Sequence, residues 1–186
     1  MKPVATHIIY ENPLPQLRAL GSAFPYLCQL PDGKILASHQ MGQAFESVDG
    51  TSYISESTDG GITWSKPRKM YDKSGETIPL NDNCKLTRLA DGRLVAFGYQ
   101  FFREDPELPL ANELGGLLED EIFFSISEDE GKTWNEGKVM VPRFSAYSSL
   151  CILPDKTIGF YVEEREVDTT SYEMVFYRFP IDSIRN

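Results

Sequence analysis

Basic residues are scarce: 18 Lys and Arg against 28 Asp and Glu give the 186-residue chain a formal charge of −10. Phosphate recognition needs clustered cations, and the densest basic run is "KPRK", Lys66 to Lys69, which a solvated strand end explains; a nucleic-acid partner is therefore not expected. No apolar run approaches the length of a membrane span. The amino-terminal "MKPVATHIIYENP" lacks the unbroken apolar stretch of a signal peptide, so a reducing cytoplasm is the simplest home. The three cysteines, Cys28, Cys84 and Cys151, are odd in number and widely spaced, which suggests neither a disulfide framework nor a zinc site. Each stands among apolar neighbours, so buried free thiols are expected. His7 and His39 have no ligand partner at useful spacing; no metal and no cofactor is expected. Helical periodicity is nearly absent too. Only "LPLANELGGLLED" (108–120) hints at a helical turn, and its proline and two glycines favour a long loop.

Repetition is abundant. "STDGGITW" (57–64) returns as "SEDEGKTW" (127–134), and both read Ser-x-Asp-x-Gly-x-Thr-Trp. "LCQLPDGKILA" (27–37), "LTRLADGRLVA" (86–96) and "LCILPDKTIGF" (150–160) are three versions of one hairpin, with turns 59 and 64 residues apart. Asp-Gly between alternating apolar runs is a hairpin signal, because Gly accepts positive φ and Asp tolerates it. A second hairpin, turning through the box, follows each of the first two. Four strands per unit of about 60 residues mean the blades of a β-propeller. The fold class expected is all-β, with about three blades in a single domain, residues 1–186: approximately 23–72, 82–140 and 145–180. The third unit supplies three strands, and "ATHIIYEN" (5–12) is a lone strand, so it is expected to complete the last blade and close an open edge. The box has an architectural role. Its Asp accepts turn N–H groups, its Gly takes a conformation that a Cβ resists, and its Trp packs between blades.

These boxes resemble the Asp-boxes of the sialidase (neuraminidase) superfamily, six-bladed propellers. "PYLCQLPDGKILASHQ" with "YISESTDGGITWS" looks like that family's first blade, and "AYSSLCILPDKTIGFYVEE" with "YEMVFYRFPID" like its last. The resemblance implies a retaining exo-glycosidase that releases a terminal sugar, sialic acid among the candidates, from a glycoconjugate. In that chemistry a tyrosine attacks the anomeric carbon, since the sugar's own carboxylate would repel a carboxylate nucleophile. The catalytic residues implied are Tyr147 as nucleophile, Glu163 as the glutamate that steadies the first arginine, and Asp49, in "VDGTS", as acid/base. The substrate-binding residues are Arg103, in "AFGYQFFRED", and Arg18, with Arg143 a further nearby arginine. Glu113, Glu119 and Glu121 compete as the nucleophile's glutamate partner. Plain structural roles explain several of these equally well: a half-buried strand-start tyrosine for Tyr147, a charged strand end for Glu163, a turn for Asp49 and a solvated arm for Arg103. The family's first arginine belongs to an Arg-Ile-Pro motif, where this chain reads Ala23-Phe24-Pro25. The alternative is thus a propeller module that binds a glycan or protein without catalysis. Three units are half of a six-bladed ring, so lost central blades, a partial protein and a homodimer completing the ring all account for the length.

Overall fold

Asp-Gly turns and alternating strands give three antiparallel sheets in the computed structural model, which describes residues 3–45, 47–76, 78, 80–110, 118–142, 144–165 and 171–184. The first sheet runs β1 (Gly21–Gln29), β2 (Ile35–Gly42), β3 (Thr51–Ser57) and β4 (Arg68–Lys69) in chain order. In the second, β5 (Leu80–Asp82) and β6 (Lys85–Arg88) both pair with β7 (Leu94–Phe102), and β8 (Asp120–Ser127) and β9 (Lys138–Pro142) follow. The third holds β10 (Ser145–Ile152), β11 (Thr157–Glu164) and β12 (Glu173–Pro180), then one 3-10 turn at Ile181–Ile184. Each sheet is a β-propeller blade. The two apolar clusters lie between consecutive blades: Leu36 and Ile54 against Leu94, Ala96 and Phe123, and then Val95, Phe97, Ile122 and Phe124 against Ile158, Phe160 and Val162.

Turn chemistry explains the hairpins. Asp32, Asp91 and Asp155 each accept the N–H two residues on, at 3.0, 3.2 and 3.2 Å. Gly33 and Gly92 follow in the left-handed region at φ 89° and 95°, and Lys156 takes that region at 66° in the third turn.

The boxed turns are folded by their own side chains. Asp129 accepts from Thr133 N and Thr133 Oγ1 at 2.8 and 2.6 Å, and Ser127 Oγ accepts from Gly131 N at 2.8 Å. Asp59 repeats the pattern with Thr63, Ile62 and Ser57. The Thr63 and Thr133 bonds hold both carboxyls down at about 2. A depressed carboxylate stabilises the fold above the ordinary carboxylate range and loses that contribution as pH falls toward 2. Asp129→Ala should cost about 1 kcal/mol, the size of a lost cap to backbone N–H. Urea titrations at pH 7 and pH 3 check it: the gap between variant and wild type should narrow at the lower pH.

Three sequence expectations need correction. Residues 5–12 form no strand, and β12 pairs only with β11 among the described residues. The lone segment finds no ladder: Val4 and Ile8 point into solvent, while the Tyr10 ring lies 6.2 Å from that of His39 on β2, at the opposite end of the row of blades. Cys28 and Cys84 are buried as expected, but Cys151 is exposed because its face of β10 has no blade against it. Trp134 packs on the core between the first two blades. Trp64 instead lies at the outer face of the first blade and bonds back to Gly61 O at 3.0 Å. The segment 111–117, inside the stretch read as a long loop, lies outside the described residues.

Candidate active site at the mouth of the innermost strands

β1, the β5–β6 pair and β10 are the innermost strands of the blades, and each is interrupted near the end opposite the Asp-Gly turns. The register breaks between Ala23 and Tyr26 in β1 and between Ser145 and Ser148 in β10. In the middle blade Asn83 and Cys84 leave the ladder between β5 and β6. Phe24 and Phe144, at or just before these breaks, take positive φ, both 53°. A break turns side chains out of the alternating pattern and aims them along the innermost edge. Tyr147 is turned out in this way and is 67% exposed. Glu163 sits opposite the break, because Ser145 pairs with Glu164 and Ser148 with Val162.

Tyr26 on β1 and Tyr99 on β7 gather beside Tyr147. Burial raises the Tyr26 phenol, and Tyr147 adds to it. Burial raises Tyr99 strongly; Tyr147 and Tyr26 add to it, against a hydrogen bond with Asn83 that lowers it. Lys85 joins all three blades: its ammonium lies 5.3 Å from the Tyr26 ring centre and 5.7 Å from that of Phe97, and it donates to Ser148 O. Burial lowers the lysine's pKa. Below the strand break, Asp120 accepts from Ser145 N at 2.9 Å and Ser145 Oγ at 3.1 Å, so it fixes the start of the strand that carries Tyr147. Burial pushes its carboxyl up to about 7, opposed by the Ser145 bonds and by the charge of Arg165.

The remaining sequence candidates make contacts of their own. Asp49 accepts from Gln43 N at 3.1 Å. It lines a cavity of about 320 Å³ with Thr51, Lys69, Tyr71, Lys73 and Glu76, which Tyr147 and Glu163 do not line. Arg18 sits on an exposed turn with its N–H bonded to Leu14 O. Arg103 is not a solvated arm. It is 2% exposed just past β7, and its Nη2 reaches Pro106 O at 3.4 Å. Of the competing glutamates, Glu121 accepts from Gln100 Nε2, and Glu119 accepts from Phe102 N through its carbonyl. Glu113 and Arg143 lie outside the described residues. Ala23 lines a cavity of about 200 Å³ with Gly21, Ser22, Gln40, Gly42, Ala44 and Phe45. That cavity has no cation in its lining, which suits no carboxylate. Among the described residues no group of three or more His, Cys, Asp or Glu is arranged to hold a metal ion. No helix there is long and apolar enough to cross a membrane.

Sequence reading missed Tyr26, Lys85, Tyr99 and Asp120. Tyr26 and Lys85 share a signal, since each lies six residues before a turn aspartate. Tyr99 and Asp120 carry none, because strand pairing alone brings them to the mouth.

No family model and no curated protein matches the sequence. Solved structures match its shape. An α-L-arabinofuranosidase from Fusarium graminearum superposes with a TM-score of 0.62 at 18% identity, over 84% of this chain and 45% of that one. The endo-arabinase of Bacteroides thetaiotaomicron gives 0.61 at 13% identity, over 97% and 61%. A protein of unknown function from Dyadobacter fermentans gives 0.56 at 20% identity, over 93% and 54%. These likenesses show a shared propeller fold. The chain spans about half the length of the solved structures it matches.

Proposed function

We propose that the mouth belongs to a sialidase-like exo-glycosidase that removes a terminal sugar from a glycan. The observation that carries this reading is Tyr147: a phenol turned out of the ladder at the innermost edge, exposed, with Glu163 across the strand pair. Tyr26 and Tyr99 supply aromatic faces beside it, and flat apolar rings flanked by a few polar groups are how sugar sites are commonly built. In the reaction the Tyr147 oxygen forms a bond to the anomeric carbon as the glycosidic bond breaks, its proton passing through solvent to the departing oxygen, and water then attacks the same carbon, releasing the sugar and returning a proton to Tyr147. The carboxylate of Asp49, the sequence candidate for acid/base, accepts from Gln43 N at 3.1 Å. The fold is shared with glycan-acting enzymes, among them an arabinofuranosidase and an ulvan-degrading polysaccharide lyase. That likeness supports a glycan substrate over a peptide or nucleotide.

The test is release of 4-methylumbelliferone from an α-sialoside and an α-L-arabinofuranoside by wild type and Tyr147→Phe. On whichever substrate is cleaved, the variant should fall by about 10³-fold in kcat, the size expected when a nucleophile acting in concert with its neighbours is removed. Equal turnover by both proteins would sink the assignment. The cavity at Ala23 favours a second reading, a module that binds glycan without cleaving it. Glycan binding by folded protein that releases no fluorophore from either substrate would establish that reading instead.

A further inference from the structure

The cavity of about 200 Å³ at Ala23 belongs to the junction between the first two blades. Gln40 lines it from β2, and its Nε2 reaches the second blade, donating to Asn81 Oδ1 at 2.8 Å and to Asp82 O at 3.0 Å. Asn81 Nδ2 in turn donates to Ser47 O, which fixes that amide with its oxygen toward Gln40. Both hydrogens of the Gln40 amide are therefore committed. The group cannot turn over without setting its oxygen against the Asp82 carbonyl. Gln40 is 3% exposed, and its Oε1 meets no protein donor among the described residues, yet it is not sealed from open space. Leaving a buried acceptor unsatisfied is costly, so a hydroxyl hydrogen from water or from a ligand serves it.

The rest of the lining is small or aromatic. Ala23, Gly42 and Ala44 leave the space open, and Phe45 stands at its edge, 59% exposed. The turn that carries Phe45 is pinned by its backbone. Ala44 N donates to Ser47 Oγ at 3.1 Å, Ser47 N to Ala44 O at 3.2 Å, and Gln43 N to Asp49 Oδ1 at 3.1 Å. A Cβ at Gly42 would lie 2.9 Å from Gly50 Cα, so the returning chain rests directly on the end of β2. The Phe45 ring is 5.2 Å from that of Phe24, which lies 6.1 Å from Tyr99 at the mouth. Among the described residues no cation and no carboxylate lines this cavity. An anionic group there would face an acceptor oxygen with nothing to neutralise it. A hydroxyl meets the one polar group on offer, and an aromatic face suits the C–H side of a sugar ring.

We propose that this cavity is a subsite for an uncharged sugar residue, which gives a hydroxyl hydrogen to Gln40 Oε1 and lays its C–H face on Phe45. The inference rests on the reading of the mouth as a glycan site. It narrows that reading to glycans that place a neutral residue here, not a uronic or sialic acid.

The probes are matched pairs that differ by one CH₂OH turned into a carboxylate: methyl β-galactoside with methyl β-galacturonide, and methyl β-glucoside with methyl β-glucuronide. Methyl α-L-arabinofuranoside adds a neutral furanose. Saturation-transfer NMR titrations on wild type and on Tyr147→Phe give the affinities with and without turnover. At least one neutral sugar should bind, and an acidic counterpart should bind at least about tenfold more weakly. Phe45→Ala should weaken the neutral sugar by about tenfold, whereas Phe45→Trp should hold it. Both changes fall on an exposed side chain and should leave the circular dichroism unchanged. Acidic counterparts that bind as well as the neutral sugars would overturn the proposal. So would neutral binding that Phe45→Ala leaves intact, or folded protein that binds none of the probes. Neutral binding with the expected pattern, by a protein that cleaves neither fluorogenic substrate, would fell the glycosidase reading and leave the subsite standing. Tyr147-dependent cleavage with a preference for acidic sugars would do the reverse.

Discussion

Gly98→Ala should leave the chain unfolded or close to it. Gly98 sits in the middle of β7 with ordinary extended backbone, so conformational freedom is not what the position needs. It needs the absence of a Cβ. The innermost strand steps out between β5 and β6 directly over it, and Asn83 N bonds Tyr99 O at 3.2 Å. A Cβ on residue 98 would overlap the Asn83 carbonyl oxygen, and it would stand 2.8 Å from the Asn83 carbonyl carbon and 3.1 Å from Cys84 Cα. All are backbone atoms of a neighbouring strand and cannot rotate away. Relief requires parting the strands at the interblade core, where Cys84 is 2% and Phe97 3% exposed. A cost of about 3 kcal/mol or more is expected, a large share of a typical domain's stability. Gly92→Ala is the informative contrast. That glycine has φ 95° and nothing within 4 Å, so only the left-handed backbone opposes a side chain, at about 1 kcal/mol. Urea midpoints for both variants test the argument; a Gly98→Ala midpoint at or above that of Gly92→Ala would refute it.

The contrast between these glycines also marks what the sequence made legible. Gly92 follows Asp91 in a turn whose chemistry is local, and local chemistry repeats visibly: three turn aspartates and two boxed turns sufficed to read blades. Gly98 obeys a constraint imposed by residues fifteen positions earlier, and nothing around it in the sequence says so. The candidate site divides in the same way. That Glu163 lies across from the start of the strand carrying Tyr147 was readable because both belong to one hairpin. Arg103 was readable as a cation but not as a buried one, 2% exposed with its Nη2 on Pro106 O. The segment 5–12 misled because its apolar alternation looks like a strand, although alternation supplies only a face and pairing needs a neighbour's open edge. Asp120 was passed over between Glu119 and Glu121. Three consecutive acids look like solvated charge, and only strand pairing decides that the middle one turns inward onto Ser145.

That inward turn has a measurable consequence. The ordinary carboxyl value of Asp120 is 3.8, and the folded protein raises it to about 7. Between those values the folded chain holds a proton that the unfolded chain has released, so this residue makes stability fall as pH rises through the window. The charges around it do not cancel the effect: Arg165 favours the carboxylate, Glu121 disfavours it, and burial outweighs both. Asp59 and Asp129 act with the opposite sign and only in stronger acid, where their contribution disappears as pH drops toward 2. The wild type should therefore be most stable near pH 4, the ordinary carboxyl range, and weaker at pH 8. Asp120→Asn keeps the shape and both bonds to Ser145, since the amide oxygen can accept the backbone N–H while its NH₂ donates to the hydroxyl. It removes the charge that burial penalises. At pH 8 the variant should gain about 2 kcal/mol, roughly half of what the full shift would convert to, and at pH 5, with little more than a third of the window crossed, less than about 1 kcal/mol. Denaturation midpoints at pH 5, 6.5 and 8 separate the possibilities. If both proteins lose stability in parallel from pH 5 to 8, some other group titrates, and Asp120 is then an ordinary ionised partner of Ser145. If the variant's curve is flat where the wild type's falls, the junction that seats Tyr147 is held by a carboxyl that prefers its proton.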